Sequence, residues 1–186
     1  MTMEERCDAI LTAVRQQTGT DPVRMMREIA GREFVKIHGP EHHVLDGACL
    51  LMALHNAGAL ADIDWALQKL RAEGLRMPGA VCGLWGVCGA VTSVGAALAI
   101  WEGTGPLSAD GTWGDHMACT AAALEIMAAT RGPRCCKRDG FIALEAAVEW
   151  LRTNRGLELG CTKPICGFFA KNPDCIGNKC PYYPVK

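Results

Sequence analysis

The stretch that decides the fold is 77-MPGAVCGLWGVCGAVTSVGAALAIW-101, which carries no charged residue. A charge-free run of this length is long enough to span a bilayer. Its first half, however, contains four glycines together with Cys82 and Cys88, which favours a glycine-rich loop followed by a shorter apolar helix from about Cys88 to Trp101. We therefore expect a buried central helix here rather than a membrane span.

The rest of the chain also shows helical patterns, and convincing strand alternation is absent. Capping and breaking residues predict helices at about 4–17, 22–30, 41–56, 63–74, 112–130 and 140–154. Asp139 is expected to be the N-cap of the last of these helices. The sequence thus predicts an all-α fold, a compact bundle of about six to seven helices around the glycine-rich central helix. We divide the chain into a helical body, residues 1–156, and a loop-rich C-terminal cysteine arm, residues 157–186.

Composition limits the classes of partner and the compartment. The chain has 19 basic and 20 acidic residues, so its net charge of −1 does not favour nucleic acid or an anionic membrane. Its first ten residues, MTMEERCDAI, carry acids where a signal peptide would carry a basic stretch, and we expect a cytoplasmic protein. Eleven cysteines in a reducing cytosol indicate metal or redox chemistry rather than disulfides, and they suggest an anaerobic host.

Four cysteines lie close together in the arm, in 161-CTKPICGFFAKNPDCIGNKCPYYP-184, with the spacing C-x4-C-x8-C-x4-C. This stretch has too little apolar periodicity to fold by itself, and four thiolates on a short loop are typical of a metal site. The x4 gaps and the terminal Cys-Pro favour a [4Fe-4S] cluster over zinc. Two disulfides or four unrelated thiols are the alternatives. The predicted ligands are Cys161, Cys166, Cys175 and Cys180.

Cys82 and Cys88 cannot share one face of a continuous helix, because six residues advance the chain by about 240°. If both act at one site, the residues between them must form a loop, in which glycine lets backbone amides approach a cluster or an anion. The alternative is a glycine-rich packing face with two buried structural cysteines.

Cys135 and Cys136 lie between a helix stop and the expected cap, flanked by Arg134, Lys137 and Arg138. Positive charge and a helix N-terminus both stabilise a thiolate, so the doublet is a candidate reactive or metal-binding pair. A surface loop with one spare cysteine is the alternative.

The helix at 41–56 places His42, Asp46 and Cys49 on one face, which could supply ligands or a proton relay. The alternative is exposed and capping histidines, including His43, around a core cysteine. We expect a second cysteine site in the body, and Cys7 and Cys119 to be structural. The predicted members of this body site are Cys49, Cys82, Cys88, Cys135 and Cys136.

Three segments carry a resemblance to a known family: 48-ACLLMALHNAG-58, 88-CGAVTS-93 and 132-GPRCCKRDG-140. Over residues 45–150 the chain resembles the redox-active C_GCAxxG_C_C family, which implies a small helical metal or redox site. Cys82, the doublet and the arm depart from that pattern.

Over nearly its full length the chain is more similar to family 5714 of the domains of unknown function. The motifs that carry this match are 42-HHVLDG-47, 82-CGLWGVCGA-90, 134-RCCKRD-139 and the arm. The resemblance implies an iron–sulfur association in anaerobic bacteria and archaea, sometimes in fusion with radical-SAM enzymes, and it assigns no reaction.

The function we expect is that of an iron–sulfur protein in redox, sulfur or metallocofactor handling. It would act as an electron donor, a sulfur carrier or an accessory to a radical or metal enzyme, with that enzyme as its protein partner. One alternative is a non-catalytic interaction module stabilised by zinc or a cluster. Another is a [4Fe-4S]-dependent lyase or desulfidase, so the sequence leaves open whether the protein is an enzyme.

Overall fold

The computed structural model describes residues 1–184, which form seven α-helices and no strand. The predicted all-α fold is confirmed, and most predicted helix ends lie within about two residues of the observed ones. The helices are α1 (Met3–Arg15), α2 (Pro22–Ile29), α3 (His42–Asn56), α4 (Ile63–Arg76), α5 (Gly89–Glu102), α6 (Thr112–Thr130) and α7 (Cys136–Arg155). Within residues 1–184, no helix is long and apolar enough to cross a membrane.

The charge-free segment, residues 77–101, is divided into a loop and a helix, as its glycines led us to expect. A short 3₁₀ turn at Val81–Gly83 and a loop come first, and α5 then begins at Gly89 with Cys88 as its N-cap residue. The helix enclosed on all sides is nevertheless α3, in which every residue from His42 to Leu54 is buried. It packs against α1, α2, α4, α5 and α7, whereas α5 leaves one face half-buried. The helix at the centre of the bundle is therefore α3, two helices earlier in the chain than the glycine-rich helix α5 that the sequence suggested.

The close packing of α3 on α5 depends on Gly47. A Cβ atom at this position would lie 2.3 Å from the backbone oxygen of Ser93, so only glycine fits without a shift of the helices. The Gly47 N–H also donates a hydrogen bond to the Ser93 hydroxyl, at 2.9 Å. This close contact fixes the position of α5 along the axis of α3. It therefore also fixes where Cys88, at the start of α5, lies.

The start of α7 differs from the prediction that Asp139 is its N-cap. Cys135 is the N-cap residue, Cys136 is the first helical residue, and Asp139 lies inside the first turn. The Asp139 carboxylate instead reaches back and accepts a hydrogen bond from the Cys135 N–H, at 3.3 Å, while it pairs with Arg138 at 2.9 Å. An acid in the first turn is favourable at a helix N-terminus, as a capping acid is. The cysteine doublet therefore lies at the junction of the loop and α7, with only Cys136 inside the helix.

The arm lies along the body in an extended path with two 3₁₀ turns, Phe169–Lys171 and Gly177–Lys179. Near its start, the Thr162 N–H donates to the carboxylate of Asp21, which also caps α2. At its end, Tyr182 is buried, with its ring 5.2 Å from that of Phe141 and its hydroxyl bonded to Glu145. The described part of the arm, residues 157–184, is thus attached at both ends.

Candidate functional site

The eleven cysteines, all of them within the described residues, are free thiols. Seven of them fall into two groups that face two different spaces, three are buried elsewhere, and Cys161 is exposed. The first space is a small cavity under the arm, which we call the arm cavity. The second is a larger opening between the starts of α5 and α7, which we call the thiol cleft.

The arm cavity has a volume of about 20 Å³ and is lined by four cysteines and a shell of aromatic rings. Three of the cysteines come from the arm, and the fourth comes from the N-cap position of α7. The cysteines are Cys135, Cys166, Cys175 and Cys180, and the aromatic residues are Phe141, Phe168, Phe169, Tyr182 and Tyr183. The structure therefore brings three of the four predicted arm ligands to one place.

N–H groups of the arm point at the sulfurs of this cavity. The backbone N–H of Phe168 donates to Cys166 Sγ, and that of Gly177 donates to Cys175 Sγ, both at 3.4 Å. The side-chain amide of Asn172 lies 3.6 Å from Cys135 Sγ. Hydrogen bonds of this kind favour the charged form of a thiol and tune the potentials of iron–sulfur clusters.

Cys161, the remaining predicted arm ligand, is exposed and does not line the arm cavity. It lies between two backbone contacts that attach the arm to the region just before α2. The Gly160 N–H donates to the Thr20 carbonyl at 3.1 Å, and the Thr162 N–H donates to Asp21 at 2.7 Å. The chain around Cys161 is therefore held on both sides, and Cys161 does not share the cavity that the other three arm cysteines line.

The thiol cleft has a volume of about 230 Å³ and contains three of the five predicted body cysteines. Cys88 is the N-cap residue of α5, Cys136 is the first residue of α7, and Cys82 lies in the 3₁₀ turn. The cleft is also lined by His38, His42, His43, Arg134 and Asp139. A wider opening on the other side of the 82–88 loop shares Cys82 and Cys88 with it.

The thiols of the doublet and of Cys88 favour the protonated state, because burial raises their pKa values. Burial, helped by nearby Asp139, raises the pKa of Cys88 to about 12, and burial raises the pKa of Cys136 to about 11. Burial also raises the pKa of Cys135. The sequence predicted the opposite for the doublet, because three basic residues flank it. In the structure Arg138 pairs with Asp139, so its charge is compensated.

The second flanking cation, Lys137, is buried and belongs to a polar chain that the sequence did not reveal. Its Nζ donates to the carbonyl of Lys36 at 2.7 Å and lies 3.1 Å from Nε2 of His42. Nδ1 of His42 in turn lies 3.2 Å from a carboxylate oxygen of Asp46. Burial lowers the pKa of Lys137 to about 8. The His42–Asp46 half could be predicted from helical spacing, whereas the sequence indicated Lys137 only as a positive charge beside the cysteine doublet.

Cys49 lies in the middle of α3, is completely buried and lines neither space. Burial, with a contribution from Asp46, raises its pKa well above the usual value. Cys7 and Cys119 are also buried within the apolar core, in agreement with a structural role. Among residues 1–184, no three Cys, His, Asp or Glu side chains lie in an arrangement that would hold a single metal ion.

The fold and the cysteines define the class as an all-α, cysteine-rich protein with two thiol-lined spaces that meet at the start of α7. The model of DUF5714, a family of unknown function, matches residues 10–183, and the chain belongs to this family. No curated protein and no solved structure matches the chain.

Proposed function

We propose that this is an iron–sulfur protein of redox, sulfur or metallocofactor handling, with a [4Fe-4S] cluster bound in the arm cavity. The observation that supports the proposal most directly is that four thiols line one small, largely aromatic cavity. Soft sulfur ligands of this number are what iron–sulfur clusters require. The cluster would supply one-electron transfer when bound.

The sulfur donors and their hydrogen-bond partners around the cavity suit such a group. At about 20 Å³ the cavity itself has room for about one water, so the arm would move outward to admit a cluster. The N–H groups of Phe168 and Gly177 already point at two of the sulfurs. Lys137 and Arg138 both line the cavity, and because Arg138 is paired with Asp139, Lys137 would supply the positive charge beside an anionic set of thiolates. Aromatic rings exclude water, and both burial and hydrogen bonding to sulfur set the potential of a cluster. Metal binding would also supply ordering energy to an arm that has few buried apolar residues.

The thiol cleft supports a different part of the proposed function. Its volume is about ten times that of the arm cavity, and it opens beside an exposed loop, so a small ligand can reach Cys82, Cys88 and Cys136. A soft metal ion bound by these thiols would displace their protons, since burial raises the pKa of Cys88 to about 12 and that of Cys136 to about 11. We assign the handling of sulfur or metal to the cleft and the cluster to the arm cavity.

The proposed partner is a redox or radical enzyme that contacts the loop between Cys82 and Cys88. Leu84 and Trp85, at the tip of this loop, are 84% and 61% exposed. Large exposed apolar side chains next to a reactive site are typical of interaction surfaces. A protein bound to this loop would lie directly over the thiol cleft.

Anaerobic reconstitution with iron and sulfide tests the proposal. We expect about four irons and four sulfides per chain and a broad visible absorbance. The Cys175→Ser variant should lose this absorbance, whereas Cys119→Ala, which changes a core thiol outside the cavity, should keep it. Zinc as the only metal bound, with no iron after reconstitution, would overturn the iron–sulfur function in favour of a zinc-stabilised interaction module.

A further inference from the structure

We infer that the cluster proposed above is held by Cys135, Cys166, Cys175 and Cys180, and that Cys161 is not a ligand. The assignment rests on the proposed function, and it replaces an arm residue by a residue of the helical body. The ligand pattern then becomes C-x30-C-x8-C-x4-C, with the whole of α7 inside the first interval.

Cys135 faces the centre of the arm. Asn172, which is buried, directs its amide nitrogen toward Cys135 Sγ at 3.6 Å. The other end of that amide is fixed, because its oxygen lies 3.0 Å from His38 Nε2 and accepts from the Asp174 N–H at 3.0 Å. Asn172 therefore packs the arm over Cys135, and hydrogen bonds at its amide oxygen fix the orientation of its side chain.

The position of Cys135 on α7 leaves its thiol available. It is the N-cap residue, yet its side chain makes no capping hydrogen bond, and its own N–H is satisfied by Asp139. The positive end of a helix also stabilises a thiolate once a metal has displaced the proton. The neighbouring Cys136 faces the thiol cleft instead, so the two residues of the doublet serve different spaces.

Cys161 would have to leave its present place to reach the cavity. Its two neighbours are bonded to Thr20 and Asp21, as described above, and the backbone there is tightly packed. A Cβ atom added at Gly160 would lie 2.9 Å from Cβ of Asp21. Recruitment of Cys161 would have to move a segment that these two hydrogen bonds hold in place, whereas Cys135 already lines the cavity.

Four single variants, reconstituted anaerobically side by side, test the assignment. They are Cys135→Ser, Cys161→Ser, Cys136→Ser and Cys166→Ser. Serine is among the best N-cap residues, so Cys135→Ser should not weaken α7. We expect Cys135→Ser and Cys166→Ser to lose iron to the same extent. Their affinity for iron should fall by at least about tenfold, since loss of a residue that only supports a metal ligand already has an effect of this size. Cys161→Ser and the adjacent control Cys136→Ser should retain the iron content of the unchanged protein.

Alkylation followed by mass spectrometry gives a second readout on the unchanged full chain. Bound iron should protect Cys135 from a thiol reagent, whereas Cys161 should be modified equally with and without iron. Loss of iron in Cys161→Ser, or full retention in Cys135→Ser, would overturn the ligand assignment. Full retention in Cys166→Ser would instead overturn the proposed cluster site itself, so the two failures are distinguishable.

Discussion

The body and the arm of this molecule are stabilised in different ways. The body, residues 1–156, has a continuous apolar core in which α3 is surrounded by five other helices. In the arm, residues 157–184, the buried residues are few: Leu159, Pro164, Asn172 and Tyr182. Burial of apolar surface stabilises the body, whereas the arm has only a few buried anchors, so under the proposed function its order would depend on metal bound by its cysteines. The difference teaches that order in the two regions can be removed separately.

The largest expected effect comes from the core. Leu50→Ala on α3 removes a completely buried side chain and should lower the free energy of unfolding by about 2–5 kcal/mol. Chemical denaturation followed by circular dichroism measures it. The control Leu107→Ala changes a residue that is 94% exposed, and its effect should be within about 0.5 kcal/mol. Equal effects of the two variants would contradict the description of α3 as the centre of the core.

Removal of metal should act on the arm alone. A chelator, or the Cys175→Ser variant, should make the arm sensitive to trypsin at Lys171 and Lys179 while the helical content of the body is unchanged. Limited proteolysis with mass spectrometry, alongside circular dichroism, separates the two responses. An identical cleavage pattern with and without metal would show that the anchors hold the arm without help from its cysteines.

Asp21→Ala should have a smaller effect, and it should act on both regions. Its carboxylate caps α2 through the Arg24 N–H at 2.9 Å and accepts from the Thr162 N–H at 2.7 Å. We expect a loss of about 1 kcal/mol from the cap, together with faster amide exchange at Thr162. Asp21→Ser keeps a capping oxygen for α2, so it should restore the free energy of unfolding. The amide exchange at Thr162 should stay fast in this variant. Unchanged exchange in both variants would disprove this anchor.

Tyr182→Phe is the mildest change. It removes the hydroxyl bonded to Glu145 and keeps the ring against Phe141. The end of the arm should lose about 1 kcal/mol of local stability, seen as faster exchange at the Cys166 N–H, which donates to the Tyr182 carbonyl. The stability of the body against denaturant should not change. A loss there comparable to that of Leu50→Ala would mean that the arm and the body unfold together.

The helices could be predicted because their signals are local. Asp21 followed by Pro22 marks the start of α2, and the structure shows the expected cap. The start of α7 was misplaced because Asp139 fits two roles, an N-cap and a first-turn acid, and the sequence does not distinguish them. The burial of Lys137 was missed since its partner His42 lies 95 residues away, and only tertiary packing brings the two together.

The cysteine groups show the same limit. Spacing identified the arm as one set because its four cysteines are close in sequence, and three of them do line one cavity. Cys135 is separated from Cys166 by the whole of α7, so its presence there is a property of the fold and not of local spacing. Cys49 was grouped with the other body cysteines from its helical face, but that face points into the core.

The residues that line the arm cavity determine which fragments of the chain could carry the site into a peptide or a fusion protein. Cys135, Lys137, Arg138 and Phe141 form one wall of it, and all four belong to α7 or its cap. A synthetic peptide of residues 157–184 would lack that wall, and a fusion that grafts only those residues onto another scaffold would carry an incomplete site. The boundary at residue 156 separates a helix from a loop, but it does not separate two portable modules. Ile37 also lines the cavity and His38 holds the amide of Asn172, so the site is complete only in the whole chain.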